Sequence, residues 1–241
     1  YEIDMRLRPD GRRGLLFTST GAFERYQEDN AWTWEHQALL RARPVAGSAV
    51  VAREFERIRS ETLRQRVRRD SLRDDVVSMR QKMRKELDRS DSDSFDLKQG
   101  VGGIADIEFL VQYLVLANAG EHPAVIHYPD NVRQLATLAA AGCLDESLAL
   151  WLQDIYRGYR LRLHHLKLNE QESLVPQAEF AAERNVIACS GVIEDLTGED
   201  RAVDALPVID EAQLAPSACL TELRLLQSDH FDSQSLLFTL L

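Results

Sequence analysis

The chain opens with Tyr1-Glu2-Ile3-Asp4-Met5-Arg6-Leu7-Arg8-Pro9, a stretch in which apolar and charged residues alternate. Successive side chains of a β-strand point to opposite faces, so this alternation predicts a strand with one apolar and one charged face. Asp4, Arg6 and Arg8 share the charged face. A carboxylate can hold a divalent cation, and an arginine can bind a phosphate group through two hydrogen bonds. The strand therefore predicts either a site for a metal-bound phosphate or a solvated edge strand with a cross-strand ion pair.

The residues after this strand predict a hairpin followed by two helices. Pro9-Asp10-Gly11 is a turn sequence, and residues 14–18 have the composition of a returning strand. Ser19 or Thr20 can cap a short helix, and a second helix is predicted over residues 31–43. The opening piece of the chain is thus predicted to be a small α/β unit.

The second predicted helix carries two tryptophans, a histidine and two arginines. Trp32 and Trp34 could stack on a nucleotide base, but packing in the core is the commoner use of tryptophan and is the role predicted here. His36 is interpreted as a hydrogen-bonded structural residue, because the sequence fixes no nearby carboxylate that would orient it as a base. By their position alone, Arg41 and Arg43 are solvated arginines at a helix end.

Apolar residues spaced three to five apart predict that most of the remaining chain is helical. Helical patterns cover residues 48–87, 104–119, 130–141 and 145–168. Residues 95–98 predict a short strand. We therefore expect an α+β protein with a small α/β piece over residues 1–47, a helical bundle over 48–188, and an acidic tail of uncertain structure over 189–241.

A glycine-rich run, Gln99-Gly100-Val101-Gly102-Gly103, precedes the most apolar of these helices. Backbone amides at a helix start can bind phosphate, but this spacing matches neither the dinucleotide-binding nor the P-loop fingerprint. Asp106 in the first turn is explained by its favourable interaction with the helix dipole.

Glu108, by contrast, lies among apolar neighbours in the same helix. A carboxylate buried there must be paired with a cation or ligated. The sequence leaves two roles open, a direct role in a functional site or an ion pair with Arg6, Arg41 or Arg43.

Composition and charge argue against several classes of partner. No apolar run approaches the roughly 20 residues needed to cross a bilayer. Residues 170–241 hold 14 acidic and three basic residues and account for the net charge of −10. The rest of the chain shows no basic surface pattern typical of nucleic-acid binding.

Three distant cysteines, Cys143, Cys189 and Cys219, favour a reducing cytoplasm over a disulfide framework or a thiolate metal site. Tyr1 in place of Met predicts a piece of a longer protein, so the lack of a targeting segment carries little weight.

Four blocks of this sequence are long, ordered and regularly spaced: YEIDMRLRPDGRRGLL at 1–16, AFERYQEDNAWTWEHQALLRARPVAG at 22–47, FDLKQGVGGIADIEFLVQYLVL at 95–116 and DNVRQL at 130–135. They resemble the bacterial glutamine-synthetase adenylyltransferase family over about residues 1–188. Family members are bifunctional, with an N-terminal half that removes AMP from glutamine synthetase and a related C-terminal half that attaches it. The blocks at 32–37 and 95–98 are more similar to the attaching half.

The resemblance implies an enzyme that transfers AMP from ATP to a tyrosine of glutamine synthetase, with Mg²⁺ as the metal and the cytoplasm as its location. The implied partners are glutamine synthetase and the nitrogen-signalling PII protein, with neither nucleic acid nor membrane among them. Asp4 matches the family's third metal-binding carboxylate, and Arg6 and Arg8 complete the implied catalytic set.

The resemblance also extends to three residues further along the chain. Arg41 and Arg43 match family positions close to the active site. With Glu108 they form the group implied to bind ATP. For Glu108 this implied role stands beside the structural pairing described above.

The family's first two metal-binding carboxylates come from a Gly-Ser segment with two aspartates separated by one residue. Here Gly47-Ser48 is followed by Ala49-Val50-Val51, so that pair is expected upstream of this chain. We therefore expect the parent protein to be an enzyme and these 241 residues alone to be inactive. The alternative is a regulatory or scaffold module whose helices bind glutamine synthetase or PII without chemistry.

Overall fold

The computed structural model describes residues 17–189 of the chain. The predicted opening hairpin, with Asp4, Arg6 and Arg8, lies outside these residues, as does nearly all of the predicted acidic tail. The described part is mostly helical with one two-stranded sheet, which is compatible with the predicted α+β class. Over this part of the chain, no helix is both long enough and apolar enough to cross a membrane.

Eight α-helices make up most of residues 17–189. They are α1 Thr20–Asp29, α2 Thr33–Arg41, α3 Ala49–Glu61, α4 Arg69–Leu87, α5 Ile104–Asn118, α6 Asn131–Ala140, α7 Glu146–Leu168 and α8 Ala181–Cys189. A π-helical turn continues α3 over Thr62–Arg66, and a 3-10 helix covers Pro123–Ile126. The strands are β1 Ser94–Asp96 and β2 Leu174–Pro176. The helical stretches predicted from apolar spacing are confirmed, with small shifts at their ends.

Side-chain caps set the starts of several helices. Ser19 accepts a hydrogen bond from the Ala22 amide at the start of α1, as predicted. The carboxylates of Asp130 and Asp145 cap α6 and α7 in the same way. Beyond the end of α6, Gly142 has a φ of 72°, a conformation that terminates a helix and that glycine adopts without strain.

The core is built around α5, in which ten of 15 residues are buried. A helix that is apolar nearly all round is stable only when it is enclosed, and α2, α4, α6 and α7 all pack against this one. Leu39 and Leu40 of α2 belong to the same hydrophobic cluster as Leu72 of α4 and Leu110 of α5. Helices on both sides of residue 47 therefore share one core, while the domain boundary placed there stays a prediction.

The short sheet joins two segments that are distant in sequence. β1 and β2 pair antiparallel, with Phe95 opposite Val175. The carboxylate of Asp96 then turns the chain, because its Oδ1 accepts from the amides of Lys98 at 2.9 Å and Gln99 at 3.0 Å and from Ser173 Oγ at 2.9 Å. The predicted strand is confirmed but ends at Asp96.

The glycine-rich loop before α5 is a packing device rather than a phosphate loop. The amides of Ile104 and Ala105 donate to the carbonyls of Leu97 and Lys98, both at 3.0 Å, so they are already occupied. Gly102 has a φ of +78°, and a Cβ there would lie 2.5 Å from the carbonyl oxygen of Arg184. Only glycine allows α8 to approach the loop this closely.

A buried ion pair fixes the same loop to α4. Arg80 is fully buried, and its Nε lies 2.6 Å from Asp106 Oδ1. Its NH2 donates to the Gln99 carbonyl at 2.7 Å, while Asp106 also accepts from Arg84 and from the Gly102 amide at 2.7 Å. The explanation of Asp106 by the helix dipole is therefore incomplete, because its main partner is a buried guanidinium.

The structure corrects the prediction for the two tryptophans of α2 and places its histidine in the core. Trp32 is 63% exposed and Trp34 is 41% exposed, so the prediction that both lie in the core is wrong. Trp32 precedes the first turn, where its amide donates to Glu35 Oε2 at 2.9 Å and its ring faces Arg68 across the surface. His36 is buried, and burial, together with the charge of Arg68, lowers its pKa, while a hydrogen bond with the backbone of Gln27 acts to raise it. Its Nε2 has no hydrogen-bond partner among the described residues, so the prediction of a hydrogen-bonded structural residue is met at one ring nitrogen only.

Asp106→Asn tests how strongly the fold depends on the buried ion pair. Asparagine keeps the size of the side chain but leaves the Arg80 guanidinium buried without an opposite charge. We expect the free energy of unfolding to fall by about 3–5 kcal/mol, measured by chemical denaturation.

Glu172→Gln is the matched control, since it removes the charge from an exposed pair with Arg89. That change should cost less than about 1 kcal/mol. Equal losses in the two variants would show that Arg80 does not need Asp106 in the core.

Candidate functional site

Four polar side chains meet where α2, α5, α6 and α7 come together, and we call them the Glu108 cluster: Arg41, Glu108, Asn131 and Tyr156. Glu108 Oε1 lies 3.4 Å from Arg41 NH1 and accepts a hydrogen bond from the Tyr156 hydroxyl at 2.8 Å. The side-chain amide of Asn131 is 3.5 Å from the same oxygen. Each member comes from a different helix, so the cluster exists only in the folded chain.

A buried arginine holds the end of α2 in place and so positions Arg41. Arg59 donates from Nε to the Leu39 carbonyl at 3.0 Å and from NH2 to the Leu40 carbonyl at 2.7 Å. The same NH2 reaches the Ile126 carbonyl at 3.1 Å. Carbonyls at a helix end lack partners within the helix, and a cation is the group that satisfies them best. The backbone position from which the Arg41 side chain extends is therefore fixed.

Interactions within the Glu108 cluster favour a charged Arg41 and a neutral Tyr156. Burial acts to lower the pKa of Arg41, but Glu108 and Tyr156 outweigh it and raise that pKa above its ordinary value. Burial and the Glu108 charge raise the pKa of Tyr156, so its hydroxyl stays protonated at neutral pH. Tyr156 therefore acts as a hydrogen-bond donor to Glu108. The cluster presents Arg41 as a permanently charged group in a fixed orientation.

The structure brings together only some of the residues singled out from the sequence. Glu108 pairs with Arg41, one of the three arginines considered as its partner. Arg43 is exposed beyond the end of α2 and forms no ion pair with the rest of residues 17–189. Asp4, Arg6 and Arg8 lie outside this range, and their roles stay predictions.

Asn131 and Tyr156 are members that the sequence analysis missed. Asn131 lies within DNVRQL, one of the four blocks quoted above. Its place in that block was the sequence signal that could have identified it as a candidate site residue. It is 1% exposed, and its Oδ1 has no hydrogen-bond partner in the described structure. Tyr156 lies on α7 among other large side chains, and no sequence pattern distinguishes it from a core residue.

Metal binding finds no support in the described residues. Within residues 17–189, no group of three or more His, Cys, Asp or Glu side chains is placed to hold a metal ion. The predicted ligand Asp4 lies outside them, so its fit to Mg²⁺ stays a prediction. What the described part supplies is a fixed cation and hydrogen-bond donors.

Comparison with known families identifies the class of protein. Residues 1–58 match the family model described as glutamate-ammonia ligase adenylyltransferase. Residues 77–196 match the model described as GlnD PII-uridylyltransferase. Both descriptions name nucleotidyltransferases, and the two matched segments contain Arg41 and Glu108 respectively.

Individual relatives narrow this class. The chain is 52% identical over 187 residues to a bifunctional glutamine synthetase adenylyltransferase/adenylyl-removing enzyme of Thioalkalivibrio sulfidiphilus, a match that covers 78% of this chain and 19% of the relative. The enzyme of the same description from Nitrosococcus oceani is 49% identical over 197 residues, covering 81% and 20%. The Pseudomonas aeruginosa enzyme is 46% identical over 199 residues, covering 78% and 20%.

The matched part of the chain therefore belongs to the family of bifunctional glutamine synthetase adenylyltransferase/adenylyl-removing enzymes. The chain spans about a fifth of the length of these relatives. The resemblance inferred from the four sequence blocks is confirmed.

Tyr156→Phe tests the hydrogen bond that closes the Glu108 cluster. The change removes one donor, while Glu108 keeps its contact with Arg41. We expect the free energy of unfolding to fall by about 1 kcal/mol, measured by urea denaturation.

Tyr159→Phe is the matched control on the same helix. Tyr159 is fully buried, but its hydroxyl has no hydrogen-bond partner in the described part of the chain. Removing an unsatisfied hydroxyl should leave stability unchanged or raise it. If Tyr156→Phe is as harmless as this control, the hydroxyl contact with Glu108 does not stabilise the cluster.

Proposed function

We propose that the chain is part of an adenylyltransferase that transfers AMP from ATP to a tyrosine hydroxyl of glutamine synthetase. The observation that carries this proposal is the 52% identity over 187 residues to an enzyme of that description. The similarity of the blocks at 32–37 and 95–98 favours the attaching half of the bifunctional enzyme. The removing half is then a separate part of the parent protein.

In architectural terms, we assign residues 1–47 to the C-terminal part of a nucleotidyltransferase domain and residues 48–188 to a helical bundle that follows it. The first family model covers residues 1–58, which include α1, α2 and most of α3, and the second begins within α4. We infer that Asp4 of the predicted strand and Arg41 at the end of α2 contribute to one site.

The reaction places modest chemical demands on the protein. The tyrosine oxygen of glutamine synthetase bonds to the α-phosphorus of ATP, the bond from that phosphorus to the pyrophosphate oxygen breaks, and the phenolic proton leaves to solvent or a base. Transfers of this kind are catalysed mainly by positioning and by neutralising phosphate charge. Mg²⁺, held on carboxylates that include Asp4, would supply part of that neutralisation.

The arginines of this chain supply the rest. Arg6 and Arg8 on the opening strand would bind phosphate oxygens beside Asp4. Arg41 and Arg43 would bind the nucleotide from the end of α2. Glu108 would act through Arg41, whose guanidinium it holds at 3.4 Å.

The proposal extends to the cellular setting of the enzyme. Glutamine synthetase is the protein substrate, the PII signal protein is the regulatory partner, and the cytoplasm is the location. The names of the relatives support glutamine synthetase, and the second family model, named for a PII-modifying enzyme, supports the link to PII.

Asp4→Asn in the full-length parent enzyme tests the proposed catalytic strand. Asparagine preserves size but removes the charge that would hold the metal and offset its desolvation. We expect AMP incorporation into glutamine synthetase to fall at least about 100-fold across a magnesium titration, with the thermal midpoint unchanged or raised.

Asp10→Asn in the adjacent turn is the control and should keep nearly full turnover. The 241-residue chain alone should incorporate no AMP, because two of the three carboxylates are expected upstream. Wild-type turnover and magnesium dependence in Asp4→Asn would contradict the proposed site. If the 241-residue chain binds glutamine synthetase tightly and AMP incorporation by the parent enzyme does not depend on Asp4, the scaffold alternative is favoured.

A further inference from the structure

Helices α1 and α3 lie side by side and run in the same direction. The rings of Phe23 and Phe55 stack with their centroids 5.8 Å apart. Further along both helices, Glu28 Oε1 lies 2.7 Å from NH2 of Arg66, in the π-helical turn that continues α3. The two helices therefore begin at the same end of the pair. A groove opens at that end. We call it the α1–α3 groove, and its lining residues are Thr20, Val50, Val51, Arg53, Glu54 and Arg57.

The apolar face of α3 becomes more exposed toward this groove. Val51, Phe55 and Ile58 are spaced four and three residues apart, so they lie on one face of the helix. Ile58 is 1% exposed, Phe55 is half-buried and Val51 is 54% exposed. Val50, next to Val51, is 66% exposed. The start of α3 therefore presents two branched apolar side chains that the described residues leave more than half exposed.

The backbone and the charges at the start of α3 are already satisfied. Ser48 Oγ accepts a hydrogen bond from the Val50 amide at 3.2 Å, so the helix start is capped. Glu54 and Arg57, on the rim of the groove, form an ion pair at 2.7 Å. Arg53 is exposed, and its charge is solvated. The unmet requirement of the α1–α3 groove is thus an apolar cover and not a charged ligand.

Residues 1–16 are the segment of this chain best placed to supply that cover. They join the described structure at Phe17, which is 86% exposed and lies three residues before Thr20 of the groove. A tethered segment has a high local concentration at a site within its reach. A second copy of the chain is less suited, because a stable dimer uses roughly 20–30 residues a side. Six of the described residues line this groove.

The sequence of this segment has the apolar face that the groove requires. Ile3, Met5 and Leu7 share one face of the predicted strand, and a lone two-stranded hairpin is marginal in water unless such a face packs on another element. We propose that the α1–α3 groove is the docking site of this apolar face, which packs against Val50 and Val51. The starts of α1 and α3 then hold the opening strand in place.

Docking in the α1–α3 groove also fixes the position of Asp4, because successive side chains of a strand point to opposite faces. Any consequence of this for catalysis rests on the proposed function, whereas the docking itself does not. The two can fail separately, since docking is measured on this chain without any transfer of AMP.

Disulfide cross-linking in the 241-residue chain tests the docking. Serine replaces the three native cysteines, and Met5→Cys is combined with Val51→Cys under mild oxidation. A disulfide forms without backbone movement only when the two Cα atoms lie within about 7 Å. We expect an intramolecular disulfide that forms at least about tenfold faster than in a control pair, because docking raises the effective concentration of the two thiols.

Asp4→Cys with Val51→Cys is that control pair. Asp4 is one residue from Met5, so the tether has nearly the same length, but it lies on the opposite face of the predicted strand. Equal rates for the two pairs would overturn the proposal. Disulfide-linked dimers in place of the intramolecular bond would also overturn it, because a second copy would then fill the groove.

Hydrogen exchange measured on Val51→Asp gives a second test that needs no cross-link. Val51 is more than half exposed, so the fold tolerates the change, but a carboxylate in the groove opposes an apolar occupant. We expect amide exchange in residues 3–7 to accelerate about tenfold as this segment loses its packing. Leu150→Asp, at a 55% exposed position of α7, is the matched control and should leave that exchange unchanged. Equal exchange in the two variants would contradict docking in this groove.

Discussion

A fully buried guanidinium is the constraint on which the rest of this fold depends. Arg80 cannot stay in the core unless its charge and its hydrogen bonds are matched, because an unpaired buried charge costs several kcal/mol. Asp106 supplies the charge, and the Gln99 carbonyl supplies an acceptor at 2.7 Å. These contacts fix the rotation of α5 relative to α4 and hold the glycine-rich loop between them.

The same constraint orients the candidate site. Residues two apart on an α-helix project about 200° from each other, so turning Asp106 toward α4 turns Glu108 toward the opposite side. There it meets Arg41 of α2 and Tyr156 of α7. The carboxylate of Glu108 thus has a structural partner and a fixed place.

The sequence analysis predicted the features that local interactions determine, such as helix starts. It missed the features that depend on contacts between residues far apart in the chain. The starts of α1, α6 and α7 follow from caps that lie next to them in the chain. The exposure of Trp32 and Trp34 does not, because burial of an aromatic ring is decided by neighbours on other helices. For Glu108 the sequence established that a partner was required, but the choice of Arg41 needed the clamp that Arg59 places on the end of α2. Asn131 and Tyr156 reach Glu108 from residues 23 and 48 positions away, a separation that no periodicity reveals.

We propose that the carboxylate of Asp4 and the Glu108 cluster belong to one catalytic centre. A double-mutant cycle in the full-length parent enzyme tests it, with AMP incorporation measured for Asp4→Asn, Glu108→Gln and the combination. Residues that act in one centre lose activity non-additively, so we predict an interaction free energy of at least about 1 kcal/mol. Strictly additive losses would contradict the account and leave Glu108 as a structural residue of the helical bundle.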